Sequence, residues 1–258
     1  MLLVIDVGNT NTVFGIYDED KLLHIFRMTT QQKSTSDEIC LFIHKMFEME
    51  GLDKDDIRDV VIASVVPQIM YSLEHAIRKF FDMRPIVIDS NCDFGIRVLI
   101  DNPAQLGADR LVNAFAAKEL FGGPAILIDF GTATTFCAVS TDGDYVGGAI
   151  APGVKISVEA LYKNTAKLPR IELIHHDNVI GKNTIASMQT GVLFGYCGSV
   201  EYITNRMKKE LGGNAMVIAT GGLARMIAKE TDCIDKICPT LTLDGLKLYY
   251  DKTKGERA

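Results

Sequence analysis

The sequence predicts an α/β protein made of two duplicated halves, each a mixed five-stranded sheet flanked by helices. Three observations carry this. An apolar run ending on an acid, a glycine and small hydroxyl or amide residues occurs twice, as Leu2-Leu3-Val4-Ile5-Asp6-Val7-Gly8-Asn9-Thr10-Asn11-Thr12 and as Ala125-Ile126-Leu127-Ile128-Asp129-Phe130-Gly131-Thr132-Ala133-Thr134-Thr135. The copies stay in register: the offset that lays Asp6 on Asp129 also lays Gly8 on Gly131, Thr12 on Thr135 and the turn Asp18-Glu19-Asp20 on Thr141-Asp142-Gly143. The order of patterns in the first half then reads β-β-β-α-β-α-β. Self-similarity over so long a period marks a duplicated fold unit, with the N-terminal half at residues 1–121 and the C-terminal half at residues 122–258.

The elements follow in order. After the first loop, Val13 to Tyr17 and Leu22 to Met28 form a hairpin around an acidic turn. Thr29 to Ser36 is a polar connector, and Ser36 is placed to cap a helix with Asp37 and Glu38 in its first turn. Ile39, Phe42, Ile43, Met46 and Phe47 recur at helical spacing, and Gly51 ends that helix. Asp59 to Val66 is a buried strand that Pro67 stops. A helix with Ile69, Leu73, Ala76, Ile77 and Phe80 inward follows, then a short strand from Pro85 to Ile88. Asn102-Pro103 marks a turn before a helix from Ala108 to Phe121, with Leu111, Ala114, Phe115 and Leu120 inward.

The second half repeats the hairpins, with Asp144 to Ala151 leading into a Pro152-Gly153 corner and a helix from Val154 to Tyr162. Lys163 to Asn183 is a long polar loop. Thr184 to Leu211 is a long helix in which Gly191, Gly195 and Gly198 are potential breaks and let another backbone pack closely, from the other half or another subunit. Ala215 to Gly222 is a buried strand matching Val61 to Ser64, and its Gly-Gly end opens a helix from Leu223 to Ala228. An amphipathic helix from Leu241 to Tyr250 closes the fold, and the charged residues Asp251 to Ala258 fray.

The repeated loop has a chemistry. Gly8 and Gly131 let backbone approach a ligand closely. Successive N–H groups at such a turn line an anion site, and Thr10, Asn11, Thr132 and Thr134 add donors. Asp6 and Asp129 close their strands, where a carboxylate holds a hard cation directly or through water. One such loop alone reads as an ordinary hairpin with Asx-type turns. Repetition of acid, glycine and hydroxyls in register favours a polyphosphate and its metal. Asp109 and Arg110 open their helix together. An acid there suits the helix dipole, whereas acid and guanidinium side by side suit a small ligand bearing both a hydroxyl and a carboxylate.

Composition narrows the classes. Of 258 residues, 47 % are apolar and the formal charge is −6. That excess of acid disfavours non-specific nucleic-acid or anionic-membrane binding. No apolar run reaches membrane length, and the N-terminus enters a strand without a basic leader. The six cysteines are scattered without a C-x-x-C pair, as expected of reduced cytoplasmic thiols. His175-His176 reads as part of a solvated loop, short of the ligands that a zinc site requires.

These blocks together resemble the actin, sugar-kinase and acetate-kinase superfamily, whose ribonuclease-H-like halves enclose an ATP cleft. Within it the chain is similar to the type III pantothenate kinases. The resemblance rests on Asp6-Val7-Gly8-Asn9-Thr10-Asn11-Thr12, on Asp101-Asn102-Pro103 with Gly107-Ala108-Asp109-Arg110, on Asp129 to Thr135, and on Gly147-Gly148-Ala149-Ile150-Ala151-Pro152-Gly153. It implies ATP-dependent phosphorylation of pantothenate to 4′-phosphopantothenate, the first step of coenzyme A biosynthesis, by a cytoplasmic homodimer. It implies that Asp6, Val7, Gly8, Asn9, Thr10, Asn11, Thr12 and Val13 hold the ATP phosphates, with Asp6 turned to Mg²⁺ or another divalent ion, and that Thr132 contacts ATP. Asp109 is then the base. Gly107, Ala108, Asp109 and Arg110 line the pantothenate site, and Thr184 reaches it from the neighbouring subunit. Asp129 helps hold a monovalent cation, K⁺ or NH₄⁺. One position departs from the family pattern: Ile100 stands before Asp101-Asn102-Pro103 where an aromatic residue is usual. A kinase for another small hydroxy-acid or sugar, and a nucleotide-binding regulator without turnover, are the competing readings. Retention of Asp6, Asp109 and Asp129 disfavours the regulator.

Overall fold

The computed structural model describes residues 1–89 and 92–255. The elements are β1 (Leu2–Val7), β2 (Asn11–Asp18), β3 (Lys21–Thr29), α1 (Ser36–Glu50), β4 (Asp59–Ser64), α2 (Pro67–Phe81), β5 (Ile86–Val87), α3 (Ala108–Phe121), β6 (Ala125–Phe130), β7 (Ala133–Val139), β8 (Tyr145–Pro152), α4 (Val154–Lys163), α5 (Thr184–Glu210), β9 (Met216–Gly221), α6 (Ala224–Ile227), β10 (Lys236–Ile237) and α7 (Leu241–Gly255). They form two five-stranded sheets, ordered β3-β2-β1-β4-β5 and β8-β7-β6-β9-β10. Each strand of one sheet has its counterpart in the other, so the repeat in the sequence is a repeat of topology. Both sheets are mixed: β1 runs antiparallel to β2 and parallel to β4, and β6 runs antiparallel to β7 and parallel to β9.

The chain divides into two compact units. One comprises Met1–Gly95, Asn102–Ala116 and the chain from Thr242 onward; the other comprises Ile96–Asp101 and Ala117–Leu241. In the first, apolar strand residues such as Leu3, Ile5, Phe14 and Ile62 pack against Ile39, Ile43 and Phe47 of α1 and Ile69, Leu73 and Ile77 of α2. β1 and β4 are continuous apolar runs because both faces of a central strand are covered. α7 docks on this unit through polar ties: Tyr17 Oη donates to Asp244 Oδ1 at 2.5 Å, Lys247 Nζ meets Asp20 at 2.9 Å, and Tyr250 donates to Asp59. Phe94 sits against both Phe115 and Tyr249, with ring centroids 5.2 and 4.4 Å away. In the second unit, Ile126, Ile128, Phe136, Val217 and Ala219 pack against Leu193, Cys197 and Val200 of α5. Residues 97–99 lie along the outer edge of β8: Val98 bridges Tyr145, whose N–H donates to Arg97 O at 2.9 Å while its carbonyl accepts from Leu99 at 2.8 Å. Among the described residues, no helix is long and apolar enough to cross a membrane.

Several expectations need correction. The cap of α1 is Thr35, not Ser36. Thr35 Oγ1 accepts from Glu38 N, and the Glu38 carboxylate takes the Thr35 N–H at 2.7 Å, a capping box that outcompetes the neighbouring serine. α5 is unbroken from Thr184 to Glu210. Its backbone bonds do not need side chains, and Leu193, Cys197 and Val200 anchor it on the face away from Gly191, Gly195 and Gly198. Leu120 is 46 % exposed rather than inward: the buried stretch of α3, which includes Val112 and Ala116, ends before its last turn. The expected frayed tail is helical through Gly255; its last three residues, Glu256 to Ala258, lie outside the described residues.

Adjacent glycines at the end of β9 make the backbone constraint testable. Gly221 has φ +88°, and a Cβ there would stand 2.6 Å from Asp129 Oδ1 and 2.7 Å from the Phe130 backbone, whereas at Gly222 it would meet nothing within 4 Å. Gly221→Ala is expected to destabilise the protein by roughly 2–3 kcal/mol. That lowers the melting temperature by about 5–10 °C for a chain of this size, while Gly222→Ala leaves it nearly unchanged; thermal melts of the two variants provide the comparison.

Candidate active site

In the first unit, β1 is bonded on both sides until it stops. Val7 pairs with Thr12 and with Ser64, and its carbonyl takes the Val65 N–H at 3.0 Å. The next three residues make a short loop that Gly8 closes by donating to Asn11 O at 3.0 Å. Asn9, Thr10 and Asn11 are exposed there. A Cβ at Gly8 would stand 3.1 Å from Asn11 O, so any side chain crowds the turn. Thr30 holds the loop down: its Oγ1 donates to Gly8 O at 2.7 Å and lies 2.9 Å from Thr12 Oγ1, and its N–H donates to Thr10 O at 2.9 Å. In the sequence, Thr30 falls inside the polar connector from Thr29 to Ser36. Its only sequence signal is a hydroxyl at the end of a strand predicted to lie beside the loop.

Gly107 and Asp109 join this edge. The Val65 side chain that follows β4 lies against Gly107, where a Cβ would be 3.4 Å from Val65 Cγ1 and 2.6 Å from Asp109 Oδ1. The Asp109 carboxylate therefore folds back over Gly107, and a side chain at that position would have to displace it. Asp109 Oδ1 also accepts from Arg110 N at 2.8 Å. Gly107 O accepts the Leu111 N–H at 3.1 Å, so the loop feeds directly into α3. Loss of solvent pushes the Asp109 carboxyl above its ordinary value, outweighing the Arg110 N–H and guanidinium, which pull it down. Ala108, Asp109 and Arg110 are all half-buried. The strand end of Asp6, the Gly8 loop and Gly107 to Arg110 thus share one edge of the first sheet, linked through Val7 and Val65.

The second unit repeats the loop with different supports. Asp129 pairs with Thr135 and Thr220. Gly153 packs on the backbone carbonyls of Gly131 and Thr132, and Gly221 leaves room for the Asp129 carboxylate. Thr134 Oγ1 lies 2.8 Å from Tyr196 Oη, which in turn donates to Pro152 O, so α5 secures the loop. Thr132 is exposed. Thr184, also exposed, begins α5 and lines an open cavity of about 620 Å³ with Leu161, Leu168, Ser187, Met188, Gly191 and Val192; neither Asp129 nor Thr132 lines it. His175 is tied to Asp177 at 3.1 Å and to Glu230 at 2.5 Å, which in that order raise its pKa.

Two mixed sheets of matching topology, each with an acid–glycine–hydroxyl loop at the end of its central strand, define the actin-like fold that sugar kinases share. The solved structures agree. A conserved protein of Campylobacter jejuni assigned to the Baf family of transcriptional activators superposes with a TM-score of 0.62 at 17 % identity, covering 98 % of this chain and 99 % of the other. The ethanolamine utilization protein EutJ of Carboxydothermus hydrogenoformans gives 0.57 at 13 % identity, over 96 % and 89 %. The inorganic polyphosphate/ATP-glucomannokinase of Arthrobacter sp. strain KM gives 0.50 at 14 %, over 98 % of both. The sequence itself goes further: the profile of type III pantothenate kinase matches residues 2–206, and the chain belongs to that family of phosphotransferases.

The raised pKa of Asp109 has a consequence for stability. The folded chain holds this proton more tightly than the unfolded chain does, so the contribution of Asp109 becomes unfavourable as pH rises from the ordinary carboxylate value through the raised one. Asp109→Asn is accordingly expected to melt higher than the wild type at neutral pH, with the gain shrinking as pH falls through the raised value and gone below the ordinary carboxylate range. Melting curves across pH test the sign.

Proposed function

We propose that the protein transfers the γ-phosphate of ATP to the primary hydroxyl of pantothenate, giving 4′-phosphopantothenate and ADP as the first step of coenzyme A biosynthesis in the cytoplasm. The observation that carries the reading, beside membership of the family, is Asp109: a desolvated carboxylate folded over Gly107 on the same sheet edge as the Gly8 loop. Ionised, it is a stronger base than an ordinary carboxylate and accepts the hydroxyl proton as the O–P bond forms. Arg110 pairs with the pantothenate carboxylate, and Gly107 and Ala108 line its site. The backbone from Asp6 to Val13 cradles the ATP phosphates, with Thr10 and Asn11 adding donors, and Thr132 contacts the nucleotide. Phosphoryl transfer depends chiefly on such positioning and charge neutralisation.

Asp6 would hold the divalent ion and Asp129 the monovalent cation. Among the described residues no three His, Cys, Asp or Glu side chains gather as a metal cage. A lone carboxylate at a phosphate loop fits Mg²⁺ carried largely by the nucleotide. When bound, the ion offsets polyphosphate charge.

Thr184 reaches the pantothenate site of a second copy. Its exposure supports this, as does the open face that α5 presents at Gly191, Gly195 and Gly198, where an added Cβ would meet nothing within 4 Å.

ADP release from ATP with Mg²⁺ and K⁺ tests the reaction. ADP is expected only when pantothenate is added, falling when Na⁺ replaces K⁺, and Asp109→Asn is expected to abolish turnover while binding of an ATP analogue and pantothenate survives. Near-normal turnover in that variant would remove Asp109 as the base. ATP binding without ADP would shift the acceptor to another small hydroxy-acid or leave a nucleotide-binding regulator. For the shared site, inactive Asp109 and Thr184 variants are expected to regain part of the activity when mixed. Verified mixed dimers with no recovery would place Thr184 outside the partner's site.

A further inference from the structure

Asn113 follows Asp109 by four residues on α3, so both side chains leave the same face of the helix. It is 4 % exposed, among the buried apolar residues Val112, Ala114 and Phe115. A buried amide costs free energy unless it is hydrogen-bonded, and here the partner comes from α7: Thr242 Oγ1 donates to Asn113 Oδ1 at 2.8 Å. Three residues along α7, Gly245 allows a close approach. A Cβ there would stand 2.7 Å from Val112 Cγ1 and 2.8 Å from Val112 O. The glycine lets the two helices approach closely, and the hydrogen bond ties this face of α3 to α7. α7 in turn is tied to the sheet through Asp244–Tyr17 and Lys247–Asp20, so it acts as a fixed reference rather than following α3. The Asp109 carboxylate accepts from the next N–H of its own helix, a local bond that does not set where the helix stands.

We propose that Asn113, held by Thr242, is a positioning residue for Asp109: the Thr242–Asn113 bond sets the rotation of α3 and thereby the placement of the carboxylate over Gly107. Thr242 lies beyond the residues that the family profile matches. The inference rests on the assignment of Asp109 as the base.

The test uses the full chain. Thr242→Val keeps the shape and removes the donor, Thr242→Ala removes it without a new branch, and Thr242→Ser restores it. Valine and alanine are expected to lower kcat about tenfold, the scale seen when a supporting hydrogen bond is lost, to leave the KM for ATP unchanged, and to move the acid limb of the kcat/KM–pH profile. Serine is expected to recover kcat and the limb. If valine and alanine lower the melting temperature but keep wild-type kcat and the wild-type limb, the bond is purely structural and the proposal falls. If the wild type makes no ADP with pantothenate, the reading of the acceptor falls instead, and kcat no longer reports on the bond. The pH dependence of melting then decides the positioning: a dependence altered in Thr242→Val supports it, and an unaltered one overturns it.

Discussion

A central strand that is hydrogen-bonded on both sides has no backbone group to offer a ligand until it ends. β1 and β6 are such strands, each held between an antiparallel neighbour and a parallel one. Their chemistry is therefore confined to the edge where the parallel pair stops and the chain must turn. At that edge an acid can leave the apolar core, and a glycine can turn the backbone without blocking it. The rest of each unit serves this edge. In the first, Thr30 pins the loop and Val65 brings Gly107 alongside. In the second, Gly153 and Gly221 are as small as they must be because the loop and the Asp129 carboxylate occupy the space beside them.

Asp109 shows what such an edge costs in stability. A helix N-terminus favours a charged carboxylate, yet burial prevails and the proton is held more tightly. The side chain is thus badly placed for folding, and its carboxylate, once ionised, binds a proton more tightly than an ordinary one. Strain of that kind persists only when its surroundings are rigid. Packing of α3 against α7, with the aromatic contacts of Phe94, Phe115 and Tyr249, supplies the rigidity.

What the amino-acid order revealed was whatever repeats locally. The acid–glycine–hydroxyl loops, the apolar stripes of α1 and α2, and the span of α3 are all written in neighbouring residues. What it concealed depends on residues that meet only after folding. Thr30 is an unremarkable hydroxyl until β3 lies beside β2. The choice of Thr35 over Ser36 depends on which of two adjacent hydroxyls reaches Glu38 N. The glycines of α5 suggested a break because composition does not show that one face of the helix is already anchored. Asn113 looked like any helical polar residue because its partner is far away in sequence, at Thr242.

The strip at residues 97–99 has an effect outside catalysis. A sheet edge with unpaired N–H and C=O groups is a template for another chain, and proteins must cover or disrupt it. β8 is an outer strand of its sheet, and the strip occupies its ladder at Tyr145. Arg97 fastens the cover: its backbone N–H and Nε both donate to the buried Asp144 carboxylate at 2.9 Å. The same contacts hold the Asp144 pKa below the ordinary carboxylate range. The clasp therefore stays charged in mildly acidic solution, where other carboxylates begin to neutralise and colloidal repulsion weakens. At that point an open strand edge would be most prone to join a neighbour and start aggregation.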